Sequence, residues 1–290
     1  NPKVRLSAIE FLTELLSNGQ QYVMTLAENR NSSKQLSFIP VSLTLALMIS
    51  EIHRCLNLVI FSELNIQVLL KTFKCIFMLI NCTPYNKLNP GLLTSLCHKL
   101  IFLLNHKDIQ VQNGCLILIS SIFVIEPFPD QMKTWLVTDD GNTFGKKLIQ
   151  FCFDHIINHN SIILFGESLK VFSTLLNANI LNITLNFTNL DQMMNIGLNC
   201  SNDEIVLKNQ VVQNLTCKFL LSLSGAFKQG TVDNESWWNS ILKSNLISNG
   251  LNSNQIHSSS QSIIINLISN LPSNVFDKFE PTEKYHLITI

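Results

Sequence analysis

Apolar positions recur along this chain at steps of three and four, the spacing of a helix with one buried stripe. The pattern is clearest from Asn105 to Phe123, where Asp108 supplies a capping side chain and Val111, Cys115, Leu118 and Ile122 follow on one face. A template emerges: a capping residue, an apolar one three positions on, a small one four beyond that. Asn1, Val4 and Ala8 fit it, as do Asn65, Val68 and Thr72, and Ser253, Ile256 and Ser260. Asp203 and Val206 fit with Gln210 in the small place, and Ile162 and Gly166 fit with His159, beside Asn160, in the capping place. The apolar positions 4, 68, 111, 162, 206 and 256 lie 64, 43, 51, 44 and 50 residues apart. A single compact bundle has no reason to restart its register at such intervals, whereas a stack of two-helix units does.

Read in order, the pattern predicts helices over 2–16, 40–59, 66–80, 91–104, 109–123, 145–157, 161–176, 189–199, 203–223 and 254–269, with a short one after Ser236. Loops are expected near 126–144, 177–188 and 228–236, and T-D-D-G-N-T-F-G (138–145) reads as the most flexible of these segments. Ile183, Leu185 and Phe187 alternate like a strand, but a lone strand among helices lacks a partner, so an extended linker or irregular helix is expected there. The tight link at 105–108 forces its two helices antiparallel.

Composition suits a chain buried along much of its length, at 46% hydrophobic and 14% charged residues. Lys plus Arg equals Asp plus Glu at 20 each, so no net field draws the chain to nucleic acid or anionic lipid. The longest apolar runs, around Phe38–Ile49 and Cys115–Ile125, contain Ser or Thr and are shorter than a membrane span requires, so no span is expected. The start resembles a capped second helix without its partner, which predicts a piece of a longer protein. Eight scattered cysteines without a C-x-x-C pair suggest free thiols in a reducing compartment. Seven Asn-x-Ser/Thr sequons, at Asn31, Asn81, Asn182, Asn186, Asn199, Asn214 and Asn234, are what so Asn-rich a chain supplies by chance. The expected location is intracellular, cytoplasmic or nuclear.

Three segments carry a resemblance. F-I-P-V-S-L-T-L-A-L-M-I-S-E-I-H-R-C-L (38–56), T-P-Y-N-K-L-N-P-G-L-L-T (83–94) and N-H-K-D-I-Q-V-Q (105–112) are similar to the domain of unknown function in the HEAT repeat-containing protein 6 family. Residues 1–130 are the best-matched region, and 131–290 read as further HEAT-like repeats. The resemblance implies one all-α HEAT/armadillo-like solenoid over 1–290, with about five to six antiparallel helix pairs, no established catalysis and an adaptor role. HEAT repeats usually place Arg just after the Val of the second helix, to pair with the Asp of a neighbour. Arg5 and Asp108 fit that habit, but Leu69, Gln112, Ile163, Leu207 and His257 stand in the Arg place elsewhere. Apolar packing is expected to hold the stack instead.

Candidate chemistry is sparse. His155 and His159 are four apart, with Cys152 and Asp154 near, but the H-E-x-x-H pattern is missing, so no metal is expected. Cys97 and His98 are adjacent on a helix and point some 100° apart, too far round to bond. G-N-T-F-G-K-K (141–147) lacks the spacing of a phosphate-binding loop. No enzyme, cofactor or small-molecule substrate is expected. The features suited to a protein partner are Trp237 and Trp238, as docking anchors, and the polar group of His53, Arg54, His106 and Lys107. The expected function is a non-catalytic scaffold whose second helices line the binding face. Alternatives are a helical adaptor for nucleic acid or nuclear transport, which needs gathered basic residues, and an enzyme, which needs converging titratable groups.

Overall fold

The structure is a computed structural model that describes residues 1–18, 41–88, 91–158, 161–177, 190–228, 235–251, 258–271 and 276. The described residues divide into two units, Asn1–Leu148 and Ile149–Ile290, and their regular structure is helical.

The first unit holds α1 (Pro2–Asn18), α2 (Val41–Ser62), α3 (Ile66–Cys82), α4 (Leu92–Leu103), α5 (Ile109–Phe123), α6 (Asp130–Leu136) and the start of α7 (Asp139–Asn158). Helices α1, α3 and α5 pack side by side in one layer, and α2 and α4 in another, with α2–α3 and α4–α5 as the hairpins joining them. The layers close on Leu79, Leu96, Leu100, Val111, Leu116 and Ile119, all excluded from solvent. At roughly 25 cal/mol per Å² of apolar surface removed from water, this burial is the main source of cohesion. Gly114 lets α5 approach α3, since a Cβ there would stand 2.4 Å from the Phe73 ring.

The second unit repeats the plan with α8 (Ile162–Asn177), α9 (Leu190–Asn202), α10 (Glu204–Lys208), α11 (Gln210–Lys228), α12 (Glu235–Leu242), α13 (Asn245–Leu251) and α14 (Ser258–Ser269). Helices α8, α11 and α14 form one layer, while α9 lies against α12 and α13 in the other. Rings run through its core: Phe172 stands 5.1 Å from Phe153 of α7 and 5.9 Å from Phe219 of α11, ring centre to ring centre.

The repeat register is sharper than the sequence suggested. Asn65 and Asp108 cap α3 and α5 as expected, accepting from Val68 N at 3.2 Å and Gln110 N at 2.7 Å. Val68, Thr72, Val111 and Cys115 are buried behind them. In the second unit the template shifts. Ser161 caps α8, with Leu164 and Ser168 buried in the apolar and small places, whereas the expected Ile162 is 43% exposed. Asn209 interrupts the expected 203–223 helix, its Oδ1 accepting from Val211 N at 3.0 Å and Val212 N at 3.1 Å. Val212 and Thr216 then fill the buried places, and Gln210 was a mismatch only because the cap had been placed at Asp203. Asn1 caps α1, but Val4 is exposed because α1 turns Ile9 and Leu16 inward. Ser253 and Ile256 lie outside the described residues.

Other expectations need correction. The supposedly flexible 138–145 segment joins two helices: Asp139 and Asp140 occupy the first turn of α7, where the helix dipole favours carboxylates. Gly141 belongs there because a Cβ would meet the Trp135 carbonyl oxygen at 2.1 Å. Helix α6 replaces part of the loop expected at 126–144. Over Thr44–Ser62, α2 is long and apolar enough by length and composition to cross a membrane, because the helix extends well past the Phe38–Ile49 run. The alternating stretch at 180–187 and the loops at 178–188 and 229–234 lie outside the described residues.

No Arg–Asp ladder links the described repeats. Arg5 forks onto Glu63 at 2.7 and 3.0 Å, and Glu63 also accepts from Asn65 N at 2.9 Å, tying α1 to the turn before α3. In the Arg place, Gln112 reaches back to the His106 carbonyl at 2.8 Å. In the corrected register Gln213 holds the same place and donates to the Leu207 carbonyl at 2.7 Å. Each glutamine closes its own turn.

Candidate partner-binding surface

The expected site residues separate by burial. His53 lies on the buried stripe of α2 with Ile49, Leu56 and Ile60 and is only 1% exposed. Its Nε2 is 2.7 Å from the Tyr85 hydroxyl, and burial alone lowers its pKa to about 4. The same burial holds the Tyr85 phenol well above its ordinary range. His53 is thus a structural link between α2 and the turn after α3, and a partner cannot reach it. Arg54, one position on, is exposed and paired with Glu51 at 2.9 and 3.0 Å.

His106 shapes the α4–α5 turn: its Nδ1 accepts from Asp108 N at 3.0 Å, and its carbonyl receives Gln112. Lys107 beside it is exposed. Trp237 and Trp238 are both buried, a correction to their reading as docking anchors. Their rings meet edge to face at 5.1 Å, and Trp237 Nε1 donates to the Met194 carbonyl at 3.1 Å, which fastens α12 to α9. A short helix between α9 and α13 leaves neither adjacent ring facing water.

The catalytic and metal candidates stay apart. Cys97 is buried, its thiol pKa pushed up by desolvation, while His98 is exposed with its ring edge-on to Trp135 at 5.3 Å. His155 packs on Phe151 at 4.3 Å, Cys152 is buried with its pKa raised to about 12, and His159 lies outside the described residues. Among the described residues no group of His, Cys, Asp and Glu is arranged to hold a metal ion. The eight cysteines are free, and all but Cys55 are buried.

The surface that remains runs along α2 and α4 and was not singled out from sequence, apart from its His106–Lys107 end. A groove of about 700 Å³ is lined by Ile60 and Phe61 of α2 and by Ser95, His98, Lys99 and Phe102 of α4. A second hollow of about 660 Å³ shares Phe102 and Leu103 with it and continues over His106, Lys107 and Asp108. Phe61 and Phe102 are 79% and 74% exposed, unusual for side chains this large and apolar. The clue lay in phase: Leu93, Leu96, Cys97, Leu100 and Leu104 form the buried stripe, which puts Phe102 on the far side of α4. Lys99 Nζ donates to the Asn57 carbonyl at 2.7 Å, and partial burial lowers its pKa. Among the described residues no carboxylate pairs with Lys99 or Lys107.

Comparison with known proteins fixes the fold class. Residues 1–130 match a domain of unknown function, DUF4042. A designed armadillo repeat protein in complex with the peptide (KR)4 is similar in structure, with a TM-score of 0.52 and 12% identity over 92% of each chain. An engineered protein gives a TM-score of 0.51 at 12% identity, over 91% of this chain and 96% of its own. Likeness at such identity speaks to fold alone: this is an all-α, armadillo-like helical-repeat solenoid.

Proposed function

We propose that this chain is a protein-binding scaffold without catalytic chemistry of its own, working inside the cell in the cytoplasm or nucleus. The observation that carries the reading is the exposed apolar surface along α2 and α4, where Leu47, Leu58, Phe61 and Phe102 face solvent while the residues beneath are buried. An unpaired surface of that kind gains most from a partner that removes it from water. The designed armadillo protein holding a peptide supports a peptide-like partner for a repeat of this class. The equal numbers of acidic and basic residues favour protein over nucleic acid. The separation of Cys97 from His98 and the burial of His53 and Cys152 speak against an assembled catalytic centre. The finer placing, within the HEAT repeat-containing protein 6 family, rests on the segments at 38–56, 83–94 and 105–112.

The test is direct binding. Proteins recovered with the tagged chain from cells are purified and titrated against the isolated 290-residue chain by calorimetry. A saturable one-to-one complex is expected; failure of every recovered protein to bind the isolated chain removes the scaffold reading.

A further inference from the structure

The groove between α2 and α4 combines two features that together specify an occupant. Its floor is apolar, with Phe61 and Phe102 standing up from either wall. Its rim is cationic. Lys99 satisfies its ammonium only on a neutral backbone carbonyl, and Lys107 stands exposed at the far end. Among the described carboxylates of these elements, Asp108, which lines the second hollow, caps α5, Glu63 is held by Arg5, and Glu51 by Arg54. A cation already partly withdrawn from water and lacking a counter-charge gains most from an incoming carboxylate.

Along α4 the lining positions 95, 98, 99 and 102 share one helix face. Continued over the turn to 106, they span roughly 16 Å at 1.5 Å per residue. That length suits a short segment rather than a domain face.

We propose that this groove docks a short acidic segment of a partner protein, seating two apolar side chains against Phe61 and Phe102 and presenting carboxylates to Lys99 and Lys107. The inference rests on the scaffold reading and gives it a place and a chemistry. It also moves the binding face: the groove is built from the first helices of the two hairpins, not from the second helices that the sequence led us to expect.

The probe is a fluorescein-labelled peptide of about twelve residues, long enough to lie along the groove as a helix, built on the repeat Glu-Glu-Leu-Phe. Its control carries Lys for Glu. Binding to the 290-residue chain is followed by anisotropy. The acidic peptide is expected to bind and the basic one not to. Raising ionic strength from about 0.05 to about 0.5 M should weaken binding several-fold. Lys107→Glu, on an exposed turn, and Phe61→Ser should each weaken it about tenfold with an unchanged circular dichroism melt, and Lys99→Glu should do so as well. Equal binding of both peptides, or indifference to the Lys107 and Phe61 variants, overturns the proposal. So does a concentration-dependent dimer that Phe61→Ser dissolves, which makes a second copy of the chain the occupant. Cellular partners that bind the isolated chain and survive all three substitutions leave the scaffold reading standing and remove this groove from it.

Discussion

The two units share one plan and differ in the rings they leave outside the core. Among the described residues of Ile149–Ile290, the large rings of Phe153, Phe165, Phe172, Phe219, Trp237 and Trp238 lie inside, and the exposed large apolar side chains are aliphatic. In Asn1–Leu148, Phe73, Tyr85, Phe123, Phe128 and Phe144 are buried as well, but Phe11, Phe61 and Phe102 face water. Both cores satisfy the same repeat. The difference shows that core packing does not dictate where rings go, and that rings left outside a well-filled core are available for another molecule.

The contrast can be broken most directly at Phe172, which touches rings on both sides. Phe172→Ala should cost about 3–5 kcal/mol in urea unfolding, whereas Phe61→Ala should stay within about 0.5 kcal/mol. Similar costs at the two positions would erase the distinction between core and surface rings.

A second difference is the deeply buried histidine of the first unit, His53. Its folded-state pKa of about 4 lies below the ordinary value of 6.5, so the native state excludes a proton that the unfolded chain binds. That contribution is complete above pH 6.5 and is lost as pH falls toward 4, by about 3 kcal/mol in total. Urea unfolding at pH 7 and pH 4.5, for the native chain and for His53→Phe, should show the variant with the shallower pH dependence. An equally steep dependence in the variant would assign the effect elsewhere.

Two helical glycines carry opposite expectations. Gly114→Ala drives a methyl group into Phe73 and should cost about 1–3 kcal/mol. Gly225→Ala meets nothing within 4 Å, and in a helix it should stabilise by up to about 1 kcal/mol. The smallest expected effect is common to both units: Gln112→Leu and Gln213→Leu should each lose about 1 kcal/mol. A clear inequality between them would mean that the two turns are not equivalent.

Helical periodicity made most of the fold legible in sequence, because Asn65 and Asp108 are strong caps standing just ahead of apolar stripes. The register at Ser161 and Asn209 was harder to read. His159 and Asn160 crowd the first, and the second hides inside a run that is helical on both sides. The 138–145 segment reads as flexible because its Gly and Asp residues resemble a loop, whereas only the close approach of the Trp135 carbonyl explains Gly141. At the candidate site, Lys107 could be read from its exposed turn and His53 could not, since its charged neighbours Glu51 and Arg54 masked its place on the inner stripe. Phe61 and Phe102 escaped notice for the opposite reason: periodicity treats every phenylalanine as core until its phase is checked against the neighbouring leucines.

The glutamines that fold back onto the carbonyl ahead of their own helix have a consequence for how such a chain tolerates damage and evolves. An arginine borrowed from an adjacent repeat makes every turn hostage to its neighbour, so loss of one link weakens the next. Gln112 and Gln213 keep that bond inside a single hairpin. Fraying at one repeat then has no hydrogen-bonded relay to follow at these two turns, and a hairpin can be gained or lost without undoing them.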